Sequence, residues 1–196
     1  MSYRGYQSSK LNPVLVLIGA SILFFIATAI FPELVFLLGL QPAIFIAQPW
    51  TIVTSIFLHA GLWHVFANML ALYFFGTYLS RLVGEGKFLL VYFGGGILGN
   101  ILFILLGYTL GIDLFSIAVG ASGAIFALGG ALTVMRPRLR VFVFPIPVPL
   151  PLWVAVIGGF LIISFVPNIA WQAHLGGLVF GLVAGYFFRK RERYYS

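Results

Sequence analysis

The chain has 196 residues, of which 62% are hydrophobic and only 8% are charged. A soluble domain carries roughly 25% charged residues, so this composition excludes a water-exposed globular surface and indicates an integral membrane protein. The net charge is +7 and there is no cysteine, which excludes disulfide bonds and thiolate metal sites.

Six apolar segments are long enough to cross a membrane as helices, which takes about 17–25 residues. We therefore predict an all-α polytopic membrane protein with a six-helix domain at 13–188, a cytoplasmic tail at 1–12 and a basic cytoplasmic tail at 189–196. The six predicted helices are residues 13–31, 61–80, 87–108, 119–135, 149–167 and 172–188.

Two further apolar stretches are predicted not to be membrane spans. Residues 32–58 contain three prolines and Gly39, so they are predicted to form a long loop with interfacial pieces. Proline stands at every second position from Pro145 to Pro151, which favours extended chain leading into the fifth helix.

The basic residues all fall on one side of this six-helix arrangement, in short clusters between the apolar runs. Such a distribution sets membrane orientation and is not typical of a nucleic-acid groove, so both termini are predicted to be cytoplasmic. Residues 1–29 also contain an A-x-A pattern typical of a cleaved signal peptide, but the apolar run continues past it. The 11 basic residues are Arg4, Lys10, Arg81, Lys87, Arg136, Arg138, Arg140, Arg189, Lys190, Arg191 and Arg193.

Uncharged polar residues gather on the opposite, outer side of the predicted bundle. Ser122 stands near the outer start of the fourth helix, and His174 near the outer start of the sixth. His59 and His64 flank the start of the second helix, where Asn68 shares a helical face with His64. Polar groups at membrane depth are costly and mark functional interiors, so these residues predict a site.

Small residues predict that the fourth and sixth helices pack closely. Gly177, Gly181 and Gly185 repeat every four residues, and Gly123 begins a face of glycines and alanines beside Ser122. Small residues at this spacing let helix backbones approach in lipid. If the two faces meet, the serine comes within reach of an imidazole and can become an activated nucleophile.

The sequence predicts no carboxylate as the third residue of a catalytic triad, because none of the four acidic residues lies within a predicted span. Asp113 is the acid closest to the site, but its spacing does not single it out. The residues therefore predict a Ser–His dyad, with His64, Asn68 and the backbone N–H of Ser122 as oxyanion donors. Alternatives are that Ser122 and Asn68 only pack helices, or that the histidines bind a metal, although no acid or cysteine joins them.

These motifs resemble those of the rhomboid family of intramembrane serine proteases. The matching stretches are GASG around Ser122, HLGGLVFG from His174, and the His64-x-x-x-Asn68 pattern preceded by His59. The resemblance covers about residues 10–190. It implies Ser122 as nucleophile, His174 as general base, and His64 with Asn68 at the oxyanion site. It also implies close packing at two glycines, Gly177 and Gly181.

The sequence departs from the family pattern at two positions. Where the family often has Trp-Arg in the first outer loop, this chain has Trp50 and Thr51. The residue one turn after the serine is often a tyrosine that stacks on the histidine, and here it is Phe126. Neither change removes a catalytic group, so they bear on loop anchoring and substrate preference.

The expected function is an intramembrane serine endopeptidase that cleaves transmembrane segments of other proteins near their outer end. Its expected location is a prokaryotic cell membrane, with the site opening outward and with the lipid bilayer and transmembrane substrates as partners. No metal, other cofactor or nucleic acid is predicted. The alternatives are an inactive rhomboid-like protein that binds membrane proteins, and a small transporter. Asn100, in the third helix, is predicted to bond between helices.

Overall fold

The computed structural model describes residues 11–143, 146–167 and 169–192. The predicted tail at 1–12 and the far end of the tail at 189–196 lie largely outside these ranges. The described residues are predominantly helical, as the sequence predicts. The helices are α1 (Pro13–Ile30), α2 (Leu34–Leu38), α3 (Thr51–Thr54), α4 (Leu62–Ala71), α5 (Thr77–Val83), α6 (Glu85–Leu110), α7 (Ser122–Met135), α8 (Leu152–Ser164) and α9 (Trp171–Glu192).

Three helices of the described chain have the length and apolar character needed to cross a membrane. They are α1, the continuous helix Leu62–Val83 that α4 and α5 form through a π-helical turn, and α6. α7 and α8 are apolar but have only 14 and 13 residues. At 1.5 Å per residue α7 is about 21 Å long, which is shorter than a hydrocarbon core of about 30 Å.

The fourth helix begins at Ser122 and not at the predicted residue 119. Gly120 has a φ of 130°, a backbone conformation that interrupts a helix and that side chains other than glycine rarely adopt. The fifth helix is also shorter than the predicted 149–167. Residues 119–121 and 149–151 therefore lie outside the helices that follow them.

Two segments between the long helices have short regular structure. The predicted loop at 32–58 contains α2, α3 and two 3₁₀ turns, and Leu40 pairs with Ala118 of the loop before α7. A hairpin of two strands, β1 (Arg140–Val141) and β2 (Leu150–Pro151), precedes α8. The all-α prediction missed this pairing, although the alternating prolines had indicated extended chain.

α7 is the centre of the described bundle. Of its 14 residues, 11 are buried, and they lie on every side of the helix. A helix that is apolar all round belongs either in a protein core or in lipid. Three helices, α6, α8 and α9, pack around α7. Contacts along the whole helix therefore fix the position of its first residue.

α7 and α9 run parallel with their backbones in contact. A Cβ atom built on Gly177 would overlap the carbonyl of Gly123, and one built on Gly181 would overlap that of Ala127. Gly185 repeats the relation one turn further on, against Ala131. Each successive contact lies four residues further along both helices. The two helices therefore run in the same direction and begin at the same end of the bundle.

Gly181→Ala is expected to destabilise the protein, because its methyl group has to displace the backbone of α7. Overpacking of this kind costs about 1–3 kcal/mol. Gly158→Ala in α8 is the matched control, since a Cβ there meets nothing within 4 Å. Thermal unfolding in detergent should show a lower Tm for Gly181→Ala alone. Equal Tm values for both variants and the parent would contradict the helix contact.

Candidate active site

Ser122 and His174 meet at the common end of α7 and α9. The Oγ of Ser122 lies 2.7 Å from Nε2 of His174, so the hydroxyl donates and the ring nitrogen accepts. His174 is buried and Ser122 is half-buried. A hydrogen bond of this kind can activate a serine hydroxyl as a nucleophile, with the imidazole as its base.

Aromatic contacts hold the imidazole of His174. The ring centroid of Phe126, one turn along α7 from the serine, lies 4.9 Å from that of His174 at an interplanar angle of 39°. Phe126 in turn meets Phe160 of α8 edge to face, with centroids 5.9 Å apart. Nδ1 of His174 is buried and bonds to no described group. Packing therefore orients this ring without a carboxylate.

His64 lies on the other side of Ser122. Its Nδ1 accepts from the N–H of Ala60 at 3.3 Å, which leaves the proton of the neutral ring on Nε2. A Cβ atom built on Gly120 would lie 2.9 Å from Nε2 of His64 and 3.6 Å from Oγ of Ser122. The absence of a side chain at Gly120 thus keeps a space open between a nitrogen donor and the serine oxygen.

Asn68 is buried one turn below His64. Its Nδ2 donates to the carbonyl oxygen of His64 at 2.8 Å, which uses one of the two amide protons. The bond fixes the side chain on the same helical face as the imidazole.

His59 packs behind His64, with ring centroids 5.1 Å apart. Burial, with a smaller contribution from His64, lowers the pKa of His59 to about 4, so its ring is neutral at pH 7. Its Nδ1 lies 3.2 Å from the carbonyl of Phe57, to which it donates. His59 therefore tethers the turn before α4. Across the described ranges, no three His, Asp or Glu side chains come together as a metal site.

A buried polar network connects α6 to the loop before Ser122. Nδ2 of Asn100 donates to the carbonyl of Ile52 at 2.8 Å and to Oγ of Ser55 at 3.0 Å. The carbonyl of Ser55 accepts from the N–H of Gly120 at 2.9 Å. Asn100 thus bonds between helices, as the sequence predicts, because it joins α6 to α3 and to the 3₁₀ turn at Ser55–Phe57, and through Ser55 it positions Gly120.

A second network joins the same loop to α9 and involves a residue that the sequence analysis did not single out. Gln172, which is fully buried, donates from Nε2 to Oδ2 of Asp113 at 2.8 Å. Asp113 has a φ of 55°, unusual for a residue other than glycine. The carboxylate of Asp113 is thus bonded to Gln172, two residues before His174, and not to the imidazole of His174. A lone glutamine in an apolar helix was the signal for this contact.

The 32–58 loop is anchored without the arginine that the family pattern often has. Oγ1 of Thr51 donates to the carbonyl of Gln48 at 2.6 Å, and the indole N–H of Trp50 donates to Leu37 at 2.9 Å. Oγ1 of Thr54 donates to the carbonyl of Leu38 at 2.7 Å. Three bonds from neutral side chains therefore close the segment between α2 and α3.

Comparisons with known proteins agree with this geometry. Residues 47–191 match the model of the Rhomboid domain family. The chain is 34% identical to the rhomboid-family protein YdcA of Bacillus subtilis over 151 residues, which cover 74% of this chain and 71% of YdcA. It is 36% identical to the rhomboid protease GluP of the same organism over 138 residues, covering 69% of this chain.

The comparisons also define how far the likeness extends. The match covers only 25% of GluP, so this chain spans about a quarter of that protein. It is also 32% identical, over 66% of its length, to an Arabidopsis thaliana protein named inactive RHOMBOID-like protein 8, of which it covers 35%. Relatedness alone therefore does not decide whether a chain of this kind is active.

Asp113→Gly is expected to lower the free energy of unfolding by about 1–3 kcal/mol, because Nε2 of Gln172 is left buried and unpaired. Glycine adopts the positive φ of this position without strain, so the backbone is not the cause. Asp113→Asn is the matched control, since asparagine keeps an acceptor and tolerates this conformation. Chemical unfolding in detergent measures both. A loss as large in Asp113→Asn as in Asp113→Gly would contradict the importance of this hydrogen bond.

Proposed function

The chain belongs to the rhomboid family, and we propose that it is an active serine endopeptidase that cleaves transmembrane segments of membrane proteins. The observation that carries the proposal is the 2.7 Å contact between Oγ of Ser122 and Nε2 of His174. Nucleophile and base are within hydrogen-bond distance, and a donor-lined space lies beside them.

In the proposed reaction, Oγ of Ser122 attacks the scissile carbonyl carbon and its proton passes to Nε2 of His174. The tetrahedral intermediate then expels the amine of the leaving segment, which takes the proton from the imidazolium. A water molecule attacks the resulting acyl-enzyme ester, again giving its proton to His174. Release of the new carboxyl group returns the proton to Oγ of Ser122 and completes the hydrolysis.

The negative charge of the intermediate is proposed to rest between α7 and α4. Ile125 donates the first hydrogen bond of the α7 ladder, to Ala121, so the N–H of Ser122 precedes the ladder. The positive end of the helix dipole adds to this donor. Nε2–H of His64, directed toward Gly120, and the second amide proton of Asn68 complete the set.

Phe126 is proposed to take over part of the work that an acid performs in a catalytic triad. An imidazolium forms on His174 during acylation, and the face of an aromatic ring stabilises a cation in contact with it. The ring also limits rotation of the imidazole. Phenylalanine supplies both effects without a hydroxyl group, which fits a dyad without a carboxylate.

The short α7 supports a substrate within the membrane. At about 21 Å, this helix is shorter than the hydrocarbon core, so its two ends cannot both reach the surfaces of the bilayer. With Arg136 at the inner surface, Ser122 then lies below the outer surface, at a depth that a membrane segment of another protein reaches. Such a segment has to unwind locally, because a helix holds its carbonyls in internal hydrogen bonds.

We place both termini on the cytoplasmic side and the dyad toward the outer side of a prokaryotic cell membrane, with six spans. The support is the one-sided distribution of lysine and arginine. In the described chain, Arg136 follows the end of α7 opposite to Ser122 and Arg189 lies near the end of α9. The basic end and the dyad end of the bundle are thus separate.

Two other functions fit the structure less well. A rhomboid-like protein that only binds membrane proteins has no need for the contact between Ser122 and His174. A transporter needs polar groups along its path, but the described half of the bundle away from the dyad offers few buried ones, such as Thr133, whose hydroxyl bonds to its own helix.

Ser122→Ala and His174→Ala are expected to abolish cleavage of a transmembrane substrate in liposomes while leaving the Tm nearly unchanged. A fluorophosphonate, which reacts with activated serines, tests the dyad without any choice of substrate. It should label the parent protein and fail to label Ser122→Ala. Absence of label and of cleavage in the folded parent would favour the inactive binder.

Asn68→Ala is expected to reduce kcat by up to about 10²–10³ with little change in KM, because an oxyanion donor acts in the transition state. His64 and the backbone N–H remain, so the loss should not be complete. Steady-state kinetics with one peptide substrate, together with the Tm, separates the possibilities. A lower Tm with unchanged kcat would assign Asn68 to helix packing.

Single cysteines test the orientation cleanly, because the chain has none of its own. Ser116→Cys, at an exposed position in the loop before α7, should react with an impermeant thiol reagent applied to intact cells. Arg138→Cys, at the opposite end, should react only after the cells are opened. The reverse pattern would place the dyad at the cytoplasmic side.

A further inference from the structure

His174 lies in the first turn of α9, next to chain that is not helical. The described residues just before the helix, 165–167 and 169–170, have no helical structure. The backbone N–H groups of Ala173 and His174 both turn back to the carbonyl of Ala170, at 3.0 and 3.4 Å. Helix ends fray because their first N–H groups lack partners within the helix. The position of the imidazole therefore depends on what this turn contacts outside its own helix.

The backbone of this turn packs against two other helices. A Cβ atom built on Gly99 of α6 would overlap the carbonyl of Ala173, and one built on Gly123 of α7 would lie 3.1 Å from the same oxygen. Contacts of this kind hold helices together by dispersion, which has no preferred direction. They therefore still permit a small rotation of α9 about its axis.

Such a rotation would separate the dyad. Successive residues lie about 100° apart around a helix, so Gln172 and His174 stand on opposite sides of Ala173. A Cα atom is about 2.3 Å from the axis, so a rotation of about 20° moves it by about 0.8 Å and moves the more distant imidazole further. A misplacement of about 1 Å can cost about 10²-fold in rate. A bond at Gln172 that stops the rotation therefore also keeps His174 beside Ser122.

Gln172 makes a bond of this kind. Its side chain is fully buried, and its Nε2 donates to Oδ2 of Asp113 at 2.8 Å. A hydrogen bond to a carboxylate is stronger than one between neutral groups, and it has a defined direction. Asp113 belongs to the loop that leads directly to Ser122. The bond thus joins the segment that carries the nucleophile to the turn that carries the base.

The loop before α7 can serve as the fixed side of this bond, because it is held by the loop that contains α2 and α3. Leu40 and Ala118 exchange two backbone hydrogen bonds, of 3.0 and 2.8 Å. Nε2 of Gln41 donates to the carbonyl of Phe115 at 2.8 Å. Asp113 therefore offers its carboxylate from a segment that is bonded on both sides of the following turn.

We propose that Asp113 and Gln172 are positioning residues, which together hold the imidazole of His174 against Ser122. They act through the backbone of α9 and not by bonding to the ring. Their effect on the rate of cleavage rests on the proposed function. Their effect on the ring is a property of the fold, and it can be measured without a substrate.

NMR of the full-length chain with ¹⁵N-labelled histidine measures the ring directly, because the chain has only three histidines. A neutral ring whose Nε2 accepts from Ser122 carries its proton on Nδ1. Ser122→Ala removes this hydrogen bond and so assigns the signal of His174. We expect the Nδ1–H form alone in the parent, and a mixture of both tautomers in Gln172→Leu. Asp113→Asn, which keeps an acceptor for Gln172, should retain the parent signal.

Gln172→Leu also separates positioning from stability. The substitution removes both polar atoms at nearly constant volume, and the carboxylate of Asp113 is exposed to solvent, so no buried group is left unpaired. The Tm should therefore change little, whereas kcat should fall about 10- to 100-fold with little change in KM. Gln41→Leu is the matched control, because it removes a 2.8 Å bond to the same loop that does not reach α9. It should leave kcat nearly unchanged.

Asp113→Gly breaks the same bond from outside the buried turn, and it serves as the test where Gln172→Leu does not fold. It should lower kcat as far as Gln172→Leu does, and the double variant should lower it no further, because both changes remove one interaction. Asp113→Asn should keep the parent kcat. Additive losses in the double variant would show that the two residues act separately, which would overturn the proposal.

The two measurements distinguish a failure of this inference from a failure of the proposed function. A parent that cleaves its substrate, with equal kcat values for Gln172→Leu and Gln41→Leu, would overturn the positioning role and leave the proposed function intact. An unchanged tautomer signal in Gln172→Leu would overturn it as well. A parent that neither cleaves nor reacts with a fluorophosphonate would contradict the proposed function, and the tautomer signal would still decide whether the pair holds the ring.

Discussion

Helices α7 and α9 touch backbone to backbone, and the geometry of the dyad follows from this contact. Gly177 lies against the carbonyl of Gly123, and the relation recurs at each following turn. In lipid there is little hydrophobic drive to bring helices together, so dispersion between closely packed small residues has to do it. Parallel helices in one register then present Ser122 and His174 at the same level, where their side chains join.

The helix contact sets the level of the two side chains, and hydrogen bonds set the backbone around them. One bond joins Asp113 to Gln172, and another joins Asn100 to Ser55. The first connects the loop before α7 directly to α9, and the second connects it through the carbonyl of Ser55 to α6. In an environment of low dielectric such bonds are strong, and breaking one leaves a costly unpaired group. The loop is thereby held although it has no regular structure of its own.

The two ends of the bundle have different chemistry because α7 separates them. The dyad end has histidines, a serine and amides but little charge. The opposite end has arginines at the carbonyls that terminate α7, where cations are favoured. An apolar hairpin continues from those arginines. A short and almost wholly buried helix, α7, lies between the two ends.

The sequence by itself determined the features that follow from a repeated residue pattern or from the amino-acid composition. These are the membrane class, the helical fold, the glycine spacing of the sixth helix, and the choice of Ser122 and His174 as a pair. Only the tertiary structure decided the partners of Gln172 and Asn100, the hairpin before α8, and the open space at Gly120. The physical reason is that periodicity reports which face of one element is buried, whereas these contacts join residues 59 or 45 positions apart. A lone polar residue shows that it needs a hydrogen-bond partner, but nothing in its own segment says which distant carbonyl or carboxylate the fold supplies.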